Sequence, residues 1–255
     1  MQVMRQVLLA FVLTLLTVSP LSSQTKNAAS WIDVKGYQGS KLRAWVFRPP
    51  GPGPFPVVVW LHGADGLIEE NMMMSSYLAS KGFLTLMGCY FGQTTRPTGA
   101  YRCPETPGLD KAFLSKNAAA LIEAAQRLPA AAPGKVGLVG RSLGGGLAAL
   151  IASSGANVQA VVSLSGVYEI LLGAYDDSPI SLVKSLRGPI LIMHGTKDDV
   201  VPVSSARKYE MLARQLGKNV QAIYYDGGGH FLPSEPRYVA KVQAQIVEFL
   251  RRQLR

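Results

Sequence analysis

Residues 135–148, KVGLVGRSLGGGLA, constrain the fold more than any other stretch of the chain. Val136, Leu138 and Val139 form a short apolar run, the pattern of a strand covered on both faces. Gly140, Ser142 and Gly144 then spell G-x-S-x-G, and residues 143–153 predict a helix rich in small side chains. Strand, tight turn and helix in that order form the context in which this motif lifts a serine above the carboxyl end of a sheet. The glycines are needed because such a turn leaves no room for side chains around the serine. In a chain with 26 glycines the pattern is weak by itself, so its meaning depends on partners elsewhere.

The rest of the chain alternates apolar runs with amphipathic stretches. Strands are expected at 31–34 and 42–47, as an edge pair joined by a turn at Gly36–Gly39, and at 57–61, 83–87, 158–164, 190–193 and 220–225. Helices are expected at 71–81, 110–128 and 143–153. A further helix is expected to start from a Ser204 cap and stop at Gly217, and a closing helix to carry Pro236 in its first turn. This rhythm predicts an α/β fold, a mostly parallel sheet with helices on both faces. Residues 90–108 and 166–188 show no regular pattern. Long irregular segments of this kind are where substrate choice is expected to reside.

The chain has 255 residues, 48% of them hydrophobic and 16% charged, enough for one large domain with its own core. Residues 1–23 join an early Arg5 to an apolar core at 7–18 and then small polar residues. That core is short for a membrane span and suits a secretory signal peptide, with an uncleaved anchor as the alternative. The expectation is therefore a single domain at 24–255, exported to the periplasm or secreted, with no stable membrane association after cleavage. The formal charge of +10 is scattered. There is no basic stripe with interleaved aromatics, so nucleic acid is not an expected partner.

Cys89 and Cys103 are the two cysteines. In an oxidising compartment they are expected to pair, closing a 15-residue loop. The alternative is two buried thiols. No metal or cofactor is implied, because the three histidines are scattered along the chain and the cysteines lack zinc spacing.

A serine hydroxyl needs a base to take its proton, and that base must itself be oriented. His62 and His194 each precede a glycine at a strand end, which reads as packing. His230 follows three glycines after the final strand, on a loop free to bring its ring to the sheet's carboxyl edge. The acid should lie between serine and histidine on a post-strand loop, where Asp198 and Asp199 both fit. Leu143, after the serine, and Ala64, in the glycine-rich loop after the 57–61 strand, are the expected N–H donors to a developing oxyanion. Arg141 could meet an anionic substrate group, form a buried ion pair or lie in solvent.

VVVWLHGADGL, ASKGFLTLMGCYF, VGLVGRSLGGGLA, ILIMHGTKDDVVP and GGGHFL resemble the successive blocks of the dienelactone hydrolase family, over roughly residues 40–250. The resemblance implies an α/β-hydrolase fold and selects Asp198 as the acid, with Ser142, His230 and the donors Ala64 and Leu143. Dienelactone hydrolases proper carry a cysteine nucleophile, where this chain has Ser142. The expected activity is hydrolysis of a carboxylic ester or related acyl bond in a small molecule. The same blocks also resemble acyl-CoA thioesterases and prolyl-oligopeptidase-like domains. A catalytically silent binding protein is the reading from outside the enzymes.

Overall fold

The run Val57-Val58-Val59-Trp60-Leu61 is fully buried because it lies fourth in a sheet of eight strands. The computed structural model describes residues 29–92, 94–95, 101–103, 111–169 and 178–255. The expected signal peptide lies outside the described residues, as do much of 90–108 and residues 170–177 of the second irregular segment.

In chain order the strands are β1 (Ala29–Lys35), β2 (Lys41–Phe47), β3 (Phe55–Leu61), β4 (Leu84–Gly88), the short pair β5 (Thr94–Thr95) and β6 (Tyr101–Arg102), β7 (Ala131–Arg141), β8 (Ala160–Leu164), β9 (Ile190–Gly195) and β10 (Val220–Tyr225). The main sheet runs β1-β2-β4-β3-β7-β8-β9-β10. From β4 to β10 its neighbours are parallel, while β2 is antiparallel to both β1 and β4. Of the two strands expected at an edge, only β1 lies there. The alternating Leu42, Ala44 and Val46 of β2 are buried in the sheet's interior.

Alternation along β3 divides the core into two layers. Val57, Val59 and Leu61 pack with α2 (Lys111–Gln126), α3 (Leu143–Ser153) and α4 (Val203–Gln215), whereas Val58 and Trp60 pack with α1 (Glu69–Ser80) and α5 (Val239–Gln253). Two expected helix signals are displaced. Pro202, not Ser204, stands at the N-terminal boundary of α4, and Pro236 lies ahead of α5 in the turn that Glu235 closes onto Tyr238. Among the described residues, no helix is long and apolar enough to cross a membrane.

Cys89 and Cys103 form a disulfide across 14 positions. It ties the irregular segment to the end of β4, and a loop of this size contributes roughly 3 kcal/mol in the loop-entropy account.

Candidate active site

Ser142 occupies the turn between β7 and α3 with φ 54° and ψ −120°, backbone angles that persist only where the surroundings impose them. The glycines show what imposes them. A Cβ on Gly140 would stand 2.1 Å from the Gly144 carbonyl oxygen, and one on Gly144 would stand 2.2 Å from that of Leu61. The elbow is thus packed backbone to backbone against the end of β3, directly beside the 62–66 loop. The Ser142 N–H donates to the Leu164 carbonyl at 2.8 Å, which fixes the turn to β8 as well. Leu143 is the first residue of α3, where N–H groups have no partner within the helix. Ala64 is exposed in the 62–66 loop, which a Gly66 N–H to Gly63 carbonyl bond of 3.1 Å closes.

A second close backbone contact joins β9 to the loop after β10. A Cβ on Gly195 would lie 2.2 Å from the Gly228 carbonyl oxygen, so only glycine lets these two turns meet. Their meeting puts His230 Nδ1 2.8 Å from Asp198 Oδ2 and 3.0 Å from Oδ1. Oδ1 also accepts the N–H groups of Val200 (3.0 Å) and Val201 (2.8 Å), and His194 Nε2 lies 3.1 Å from Oδ2. Burial pushes the Asp198 carboxyl up, but the donors His194, His230 and Val201, with the His230 charge, outweigh it and hold the group well below the usual carboxylate range. Asp199 points to solvent. Of the two adjacent acids, the structure therefore brings Asp198 to the histidine.

Arg141 links the elbow to the histidine loop. Its side chain is 1% exposed. One terminal nitrogen reaches both oxygens of Asp65, at 2.5 and 2.7 Å, and Nε lies 3.2 Å from Glu70 Oε1 in an ion pair without hydrogen-bond geometry. The guanidinium lies over the Phe231 ring, 4.9 Å from its centroid. The neighbours of Ser142 and His230 are therefore in direct contact. Ser234 donates to Glu70, and burial raises the Glu70 carboxyl. Of the three roles open to Arg141 in the sequence, the structure selects the buried ion pair. Asp65 and Glu70 were not singled out as its partners, because nothing in their spacing from Arg141 signals the contact.

His62 is buried, stacked on Tyr90 at 4.1 Å and edge-on to Phe91 at 4.6 Å. Its Nδ1–H donates to the Gly63 carbonyl at 2.8 Å, and its Nε2 faces Cys103 Sγ at 3.4 Å. Together with Cys89 this is the one cluster of candidate metal ligands among the described residues. The sulfurs are bonded to each other, so only the imidazole is available as a ligand.

Burial lowers the His62 pKa from 6.5 to about 4. Between those values the unfolded chain binds a proton that the folded chain does not, so stability falls as pH drops through this window. The full loss is about 3 kcal/mol at 1.36 kcal/mol per pKa unit. The raised Glu70 carboxyl works in the opposite sense above 4.5, which makes a comparison of variants necessary. Urea unfolding between pH 7 and pH 4 should show a steep decline in the native chain and a flatter one in His62→Asn. Parallel curves would exclude His62 as the cause.

A mostly parallel eight-stranded sheet, helices on both faces and a serine on a strand–helix elbow define an α/β-hydrolase fold. The profile of the dienelactone hydrolase family matches residues 42–252, and the chain belongs to that family. It is 28% identical over 228 residues to the carboxymethylenebutenolidase of Pseudomonas putida, covering 84% of this chain and 90% of that one. To acyl-coenzyme A thioesterase 1 of Mus musculus it is 26% identical over 236 residues, covering 78% of this chain and 53% of that one. A solved Klebsiella pneumoniae structure described as a dienelactone hydrolase superposes with a TM-score of 0.74 at 20% identity, over 88% of this chain and 98% of that one, and so shares the fold. The family and its relatives make this chain a hydrolase.

Proposed function

We propose that the chain is a serine esterase acting on small carboxylic esters through Ser142, His230 and Asp198. One observation carries this reading: a histidine on the loop after β10 is hydrogen-bonded to a buried carboxylate after β9, at the same end of the sheet as the Ser142 elbow. His230 takes the Ser142 proton while Asp198 holds the ring through Nδ1–H and steadies the imidazolium. The Ser142 oxygen then attacks the ester carbonyl, and the N–H groups of Leu143 and Ala64 receive the negative charge on the carbonyl oxygen. His230 returns its proton to the departing alcohol, leaving an acyl-serine. Water, deprotonated by the same histidine, releases the acid and restores Ser142.

Arg141 is already paired with Asp65 and Glu70, so the cation beside the nucleophile is not available to a carboxylate on the substrate. This supports a broader esterase over an enzyme confined to anionic lactones. The likeness to a mouse acyl-coenzyme A thioesterase supports thioester cleavage as the second reading. The apolar leader at residues 1–23 and the Cys89–Cys103 bridge support export to the periplasm or beyond.

Incubation of the folded protein with a fluorophosphonate should place the phosphonyl group on Ser142, as read by peptide mass spectrometry. An unlabelled serine would favour a silent binding protein on this fold. A panel of aryl esters, thioesters and aminoacyl amides then separates the scissile bonds, with esters expected to turn over fastest.

A further inference from the structure

His194 is the penultimate residue of β9, with its ring fully buried. Its Nε2 lies 2.9 Å from the Val201 carbonyl oxygen and 3.1 Å from Asp198 Oδ2. A carbonyl only accepts, so Nε2 carries the proton and donates it to Val201, with the Asp198 carboxylate oxygen close beside that N–H. Nδ1 is buried and faces no partner, which leaves Nε2–H as the ring's working donor.

With this contact the Asp198 carboxylate is held from both sides. Oδ1 accepts two backbone N–H groups, and Oδ2 accepts the His230 Nδ1–H and lies 3.1 Å from His194 Nε2. The two backbone bonds come from the 200–201 turn alone. They anchor Oδ1 and make no contact with Oδ2. The His194 contact comes from the strand end, on the far side of the Gly195 turn, and faces Oδ2. The accompanying bond to the Val201 carbonyl ties the 198–201 turn back onto β9.

We infer that His194 is a positioning residue: it fixes the plane of the Asp198 carboxylate so that Oδ2 meets His230 Nδ1–H. This rests on the roles of Asp198 and His230 proposed above. Partners that orient metal ligands cost about 10-fold to 100-fold when removed, and a partner orienting a triad carboxylate is expected to act on the same scale. Glutamine carries an N–H at nearly the depth of Nε2, whereas asparagine stops short of it. His194→Gln is therefore expected to keep kcat within about threefold, while His194→Asn loses about 10-fold to 100-fold in kcat with KM nearly unchanged.

The far-downfield proton NMR signal of His230 Nδ1–H should persist in His194→Gln and shift or vanish in His194→Asn. On an Asp198→Ala background, His194→Asn should cost nothing further, because it acts through that carboxylate. Equal kcat in the two amide variants, or a fully additive loss on Asp198→Ala, would overturn the inference. Should His194→Asn fail to fold, His194→Gln remains decisive, and a kcat as low as that of Asp198→Ala would refute the assignment. Wild-type kcat in Asp198→Ala itself would sink the proposed triad and this inference with it. A crippled Asp198→Ala beside an unaffected His194→Asn would sink this inference alone.

Discussion

Ser142→Ala is expected to lower kcat for a short aryl ester by about four to six powers of ten, the range seen when the nucleophile of a serine hydrolase is removed. The residual rate would come from the proposed oxyanion donors and substrate binding, which the substitution leaves in place. Stability should hardly change. Alanine and serine pay the same backbone cost at φ 54°, and the turn is held by its backbone bonds to Leu164 and Gly146, not by the hydroxyl. Thermal melting and fluorophosphonate labelling on the same preparation separate loss of the nucleophile from loss of the fold. A cleanly folded Ser142→Ala protein with wild-type turnover would refute the esterase reading.

Arg141→Met should cost about 3–5 kcal/mol in urea unfolding near pH 8, because it leaves a buried charge without its partner. Glu70, whose side chain is 9% exposed, would then face the interior beside Asp65 with no cation between them. The same substitution also removes the contact over Phe231 that joins the elbow to the histidine loop. Turnover should therefore fall along with stability. The stability loss should be smaller near pH 5, since burial already raises the Glu70 carboxyl and protonation offers it a way out. A loss below about 1 kcal/mol at pH 8 would place the pair among exposed ion pairs of little consequence.

The strand runs, the elbow glycines and the histidine behind its three glycines were legible because each is a local pattern with a local cause. An apolar run such as 57–61 can only be a covered strand or a buried helix. A serine between glycines at a strand end has few alternatives. The preference for Asp198 over Asp199 came from family likeness, and the structure attaches a contact to it: only Asp198 turns inward to His230. His194 read as packing because its contact with the acid spans a turn whose shape the residues do not announce. The Ser204 and Pro236 signals misplaced helix starts by a few residues, since a cap residue can be outvoted by the packing of the helix behind it.

By itself, then, the chain's residue pattern determined the layered architecture and the three segments in which the proposed reacting groups stand, because periodicity and glycine placement are properties of neighbours in sequence. Only the tertiary structure decided that Arg141 faces Asp65 and Glu70, that His194 reaches Asp198, and that His62 packs on the disulfide. Those contacts join residues far apart in the chain, or across a tight turn. Their geometry is set by close backbone contacts, at Gly144 against Leu61 and at Gly195 against Gly228, that exist only once the sheet has formed.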